Sequence, residues 1–125
     1  MTYKMDTGYK KDTIPSHETC QRAVRAIRDT LDVVGGKWKL VLLMILMHGK
    51  RRFRELSREA GISPRVLSKE LQEMEMNGLI SRTVQNTRPM TVEYAATPYS
   101  ETLKEVLMAM EHWGQQHRNM IMGKG

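Results

Sequence analysis

Cys20 is the chain's only cysteine, so no disulfide can close within it, although a bond between two chains stays open to it. Long apolar runs are missing too. The longest, Leu40 to Met47, has the length of a core helix and falls well short of the ~20 residues of a membrane span. No signal peptide opens the sequence, so the cytoplasm is the expected location and a membrane is not an expected partner. Repeats and low-complexity segments are absent. His17 and Cys20 lie three apart, and His112 and His117 share another helix, but no group offers the closely spaced ligands that a metal site needs. Cys20 or Ser63 as a nucleophile would need an orienting base that the local sequence does not supply. No metal, cofactor or catalytic residue is therefore expected. At 125 residues the chain can bury roughly two-thirds of its unfolded surface, with no room for a separate enzymatic domain. Met1 to Ser16 lacks periodicity and is expected to be a flexible arm, leaving residues 17–125 as a single domain.

What is present in excess is positive charge, and it is local. The net charge is +6 and the pI about 9.7. From Gly49 to Arg88 nine basic residues face five acidic ones, whereas Pro89 to Gly125 has three basic and four acidic. A basic globular segment suits a polyanion, because neutralising phosphates releases counterions and supplies much of the affinity for DNA. The cations do not lie along one amphipathic helix, which argues against a membrane surface.

Within that segment, Phe53, Leu56 and Ala60 recur at helical spacing and Gly61 follows as a turn residue. Ile62 can anchor the turn in the core. Ser63 then offers an N-cap oxygen and Pro64 sits at the first helical position, where its missing N–H costs nothing. The second helix, 63–77, turns Leu67, Leu71 and Met74 inward and is stopped by Gly78. Its outward face holds Ser63, Pro64, Arg65, Ser68, Lys69 and Gln72, side chains suited to base edges and phosphates.

Directly after it, two β-branched runs within 79–94 flank a polar tip, which reads as a hairpin. A hairpin in that place is the wing of a winged helix-turn-helix. Asn86, Thr87 and Arg88 at the tip, with Arg82 beside them, are its candidate DNA contacts. Three further helices frame the motif. His17 to Leu31 carries an apolar stripe that includes Cys20, Ala23, Val24 and Ile27; Trp38 to Met47 is apolar nearly all round, with Trp38 expected in the core. The last helix, expected to start at Thr97-Pro98, spaces Leu103, Val106, Met110, Trp113, His117 and Met120 by threes and fours. Both outer stripes need a cover, and a second copy of the chain would supply it. The expected fold is mainly α with a small β-hairpin wing, an α+β winged helix-turn-helix with flanking N- and C-terminal dimerisation helices. Its expected partners are double-stranded DNA and a second copy of itself. A winged-helix protein-interaction module without base readout is the alternative; a thiol-dependent redox protein stands behind both.

The GGKW run at Gly35–Trp38, the RFREL run at Arg52–Leu56, GIS at Gly61–Ser63, VEY at Val92–Tyr94 and WG at Trp113-Gly114 occur in an order that resembles the HxlR-type, MarR-related winged-helix transcription regulators of bacteria. The resemblance covers roughly Cys20 to Arg118 and implies homodimers that bind inverted-repeat operators. Several members of that family sense oxidants or electrophiles through a cysteine near the start of the first helix. Here that position falls near Arg25, and Cys20 lies five residues earlier. Its place on the apolar stripe makes an inert buried thiol the expectation, with a thiol sensor as the alternative.

Overall fold

The computed structural model describes residues 16–123, so the expected arm lies almost wholly outside the described residues. The elements in chain order are α1 (His17–Val34), α2 (Lys39–Met47), β1 (Arg51–Arg52), α3 (Phe53–Ala60), α4 (Pro64–Met76), β2 (Ile80–Gln85), β3 (Thr91–Ala96), a 3-10 turn (Tyr99–Leu103) and α5 (Lys104–Ile121). Mainly helical with a small antiparallel sheet, this is the expected class of fold. One compact unit spans Asp29–Thr102; the other takes α1 through Arg28 and the chain from Leu103.

The core of the 29–102 unit is built from the apolar positions that the helical spacing predicts. Leu42, Leu43 and Leu46 of α2, Leu56 of α3, Ile62 of the turn, Leu67, Leu71 and Met74 of α4, and Leu79 and Ile80 at the root of the hairpin are all buried. Each such side chain contributes about 1.5–3 kcal/mol on burial, so the three on α4 anchor that helix more firmly than its cap, which is worth about 1 kcal/mol.

α1 runs three residues past its expected end. Ser16 accepts the Thr19 N–H at 3.3 Å to open it, and the Gly35 N–H donates to the Leu31 carbonyl at 2.7 Å to close it. A Cβ on Gly35 would sit 2.3 Å from that carbonyl oxygen, and Gly36 has φ +98°, so the glycine pair is a requirement of this turn. Trp38 departs from expectation. It precedes α2 and is only half-buried, with the Lys37 ammonium 5.1 Å from its ring centroid, so the cation covers a face that the core does not.

The hairpin forms as expected, with Arg82 opposite Tyr94, Val84 opposite Val92 and Gln85 opposite Thr91. A third strand, β1, was not expected. It pairs with β3 through Arg51–Tyr94 and Arg52–Glu93, which gives the order β1-β3-β2. The last helix also begins differently. The Thr97 hydroxyl donates to the Gly78 carbonyl at 2.6 Å and accepts the Ser100 N–H at 3.3 Å, while the fully buried Ser100 donates from Oγ to the Thr97 carbonyl at 2.7 Å. These bonds hold the corner in a 3-10 turn, and α-helical geometry starts only at Lys104.

Candidate nucleic-acid interface

The turn between α3 and α4 is fixed from both sides. Gly61 adopts φ +68°, a left-handed conformation, and its N–H and that of Ile62 both donate to the Ser57 carbonyl, at 3.0 and 3.1 Å. The Ser57 hydroxyl returns a bond to the Ile62 carbonyl at 2.7 Å. Ser63 then caps α4 by accepting the Val66 N–H at 3.4 Å, with Pro64 at the first helical position. Because Leu67, Leu71 and Met74 point inward, Ser63, Pro64, Arg65, Ser68, Lys69 and Gln72 are all exposed. Arg65, Ser68, Lys69 and Gln72, at i, i+3, i+4 and i+7, share one face of the helix.

A buried cation positions this helix, and sequence reasoning missed it. Lys39, the first residue of α2, is 7% exposed. Its Nζ donates to Glu70 Oε1 at 2.8 Å and lies 2.6 Å from Glu73 Oε1, both on α4. Burial alone would lower the Lys39 pKa, but the hydrogen bonds and charges of the two carboxylates outweigh it and hold the ammonium above its ordinary value of 10.5. The hydrogen bond from Lys39 in turn holds Glu73 below the ordinary carboxylate value. Two acids on the flank of α4 are thereby neutralised from inside. The available signal was the i, i+3 spacing of Glu70 and Glu73, which by itself reads as a solvated face.

At the wing, Asn86, Thr87 and Arg88 are exposed, and the Thr87 hydroxyl donates to the Pro89 carbonyl at 2.8 Å. Arg82 is exposed as well, but strand alternation sets it on the sheet face of Ile80 and Val84, opposite to that of Gln85. Ion pairs among the described residues engage Lys39, Lys50 and Arg51; Arg65, Lys69, Arg82 and Arg88 make none with described residues. Cations without partners at the helix and at the wing are what a polyanion requires.

The outer helices expose apolar side chains. On α1, Val24 and Ile27 are exposed and Ala23 is half-buried; on α5, Met110, Trp113 and Met120 are exposed. Leu103 and Val106 are half-buried. Val106, Ala109, Met110 and Trp113 line an apolar groove, and Trp113 stacks on His117 with ring centroids 4.9 Å apart. Cys20 corrects an expectation. Its thiol is exposed, not buried, as are Val24 and Ile27 of the same stripe, which no described residue covers.

A family model described as HxlR-like helix-turn-helix matches residues 33–122. The chain belongs to this family. Among HxlR-like relatives, the uncharacterized HTH-type transcriptional regulator YybR of Bacillus subtilis is 36% identical over 113 residues, covering 90% of this chain and 86% of its own. The crystal structure of the HTH-type transcriptional regulator ytcD has a TM-score of 0.72 at 41% identity, over 74% of this chain and 96% of that one. The redox regulator HypR in its oxidized form has a TM-score of 0.70 at 38% identity, over 73% of this chain and 95% of its own. HxlR-like membership makes the chain a winged-helix protein of a transcription-regulator family, with α3, the turn at Gly61 and α4 as its helix-turn-helix.

Proposed function

We propose that this HxlR-like chain is a homodimeric, sequence-specific transcription regulator that acts in the cytoplasm on double-stranded DNA. α4 enters the major groove. Arg65 reads a guanine edge through its two-pronged guanidinium, Gln72 and Ser68 supply further donors and acceptors to base edges, and Lys69 meets phosphate. The wing carries Asn86, Thr87 and Arg88 to the backbone or the minor groove next to it, and Arg82 offers a further cation from the other face of the hairpin. The observation that carries this reading is the α4 face itself: six polar or small exposed side chains, two cations that make no ion pair with described residues, and a helix fixed from behind by its buried leucines and Lys39. A protein-interaction module would present a broad apolar surface there, whereas over the first two turns of α4 Val66 is the one large apolar side chain that is exposed. Protection mapping on DNA upstream of the protein's own and neighbouring genes tests the proposal; a protected segment supports it, and uniform cleavage at saturating protein contradicts it.

The uncovered stripes of α1 and α5 support the dimer. Exposed apolar side chains at Val24, Ile27, Met110, Trp113 and Met120, with Ala23, Leu103 and Val106 beside them, suit a self-complementary interface across a two-fold axis. Such an axis sets two recognition helices about 34–36 Å apart or a multiple of it, and so calls for an inverted repeat. Cys20, exposed in the single chain and set on the α1 stripe proposed to meet the second copy, favours a second reading, in which oxidation of its thiol at that interface reports to the DNA-binding unit.

A further inference from the structure

The outer face of the small sheet holds a second basic surface. Around β1 the chain reads Lys50-Arg51-Arg52, and strand alternation sends the first and third side chains to one face and the second to the other. Arg51 is occupied: its Nε donates to Glu59, and its Nη1 to the carbonyls of Gly49 at 2.8 Å and Lys50 at 3.2 Å. Lys50 and Arg52 are on the free face. The register sets Arg52 opposite Glu93 and Gln85 opposite Thr91, and all of these, with Arg88 of the wing tip, line one open cleft of about 450 Å³. Glu93 is the only acid among the described residues that line the cleft, and it is matched: Lys50 Nζ lies 3.3 Å from its carboxylate and Gln85 Nε2 donates to it at 3.1 Å. Arg52 and Arg88 remain, two exposed guanidinium groups that make no ion pair with described residues.

We propose that this cleft seats a phosphate of the duplex backbone beside the wing, making Lys50, Arg52 and Arg88 a contact surface separate from α4. The inference rests on the DNA-binding reading above and deepens it. A planar guanidinium matches the two free oxygens of a phosphodiester, and two of them line this cleft. A small free anion would be held poorly in so open and hydrated a site. A phosphate delivered on a duplex already bound through α4 arrives at high effective concentration.

The test is the salt dependence of binding, measured on an operator duplex and on an unrelated one. Arg52→Gln should weaken binding to both about equally, by about tenfold, and make the slope of log K against log salt shallower by about one. Its thermal midpoint should be unchanged, because the backbone N–H that donates to Glu55 at 2.8 Å is retained. Glu93→Gln should act in the opposite sense, tightening both complexes a few-fold by releasing Lys50. An Arg52→Gln protein with the wild-type slope would overturn the proposal. So would calorimetry in which the wild type binds inorganic phosphate and Arg52→Gln does not, with the DNA slope the same in both, because the cleft would then serve a free anion. A wild-type protein that binds no duplex at all would fail the underlying DNA reading and the cleft together, a result distinct from a loss of slope.

Discussion

The ammonium of Lys39 lies 2.6 Å from a carboxylate oxygen of Glu73, joining the first turn of α2 to α4, the second helix of the helix-turn-helix. With Glu70 at 2.8 Å on its other side, the cation is enclosed by two acids of the helix it supports. Removing it does more than delete a contact, because it leaves two unmatched negative charges beside the exposed Arg65–Gln72 face of α4.

Lys39→Met should therefore destabilise the fold by on the order of 1–3 kcal/mol. The effect has a sign with pH. Glu73 is held below its ordinary value of 4.5, so its contribution is present above that value and is lost as pH falls through the lower, folded one. Lys39 is held above 10.5, so its contribution is present below that value and is lost as pH rises further. Thermal melts of wild type and Lys39→Met should differ near neutrality and converge in acid; a constant gap across that range would contradict the pairing.

Arg65→Ala should weaken operator binding by about 1–3 kcal/mol if the guanidinium reads a base through two bonds, while binding to a scrambled duplex changes much less. Titrating both duplexes decides it. Equal losses would make Arg65 a phosphate contact.

The parts of this architecture carried by local chemistry were legible in the sequence. Gly61, the Ser63–Pro64 cap and the inward stripe of α4 each depend on residues within a turn or two, and the structure forms them as expected. What escaped depends on partners distant in the chain. β1 is two arginines with no apolar alternation, and only its pairing with β3 makes it a strand. Lys39 is buried because Glu70, 31 residues away, receives it. Thr97 and Pro98 read as an ordinary helix start, but the carbonyl of Gly78, 19 residues back, holds that corner as a 3-10 turn. Cys20 was misjudged for the converse reason: an apolar stripe marks a face to be covered without saying that the same chain covers it.

Replacing Met110 and Trp113 together by charged residues should give monomers that lose most operator affinity, since each half-site then binds without the effective concentration of its linked partner. Light scattering at micromolar concentration should give a dimer mass for the wild type and a monomer mass for the variant. A wild-type monomer would remove α1 and α5 as an interface.

Cys20→Ser should bind DNA as the wild type does under reducing conditions. If the exposed thiol signals oxidant, treatment with peroxide or diamide shifts wild-type affinity and leaves the serine variant unaffected. Equal insensitivity of the two proteins would retire that role.

Selection of bound duplexes from a random pool, followed by sequencing, tests base readout and two-fold symmetry in one measurement. The account predicts enrichment of an inverted repeat whose half-site centres are about 10–10.5 base pairs apart, or a multiple of that spacing. An unenriched pool, or a single site without a symmetric partner, would contradict it.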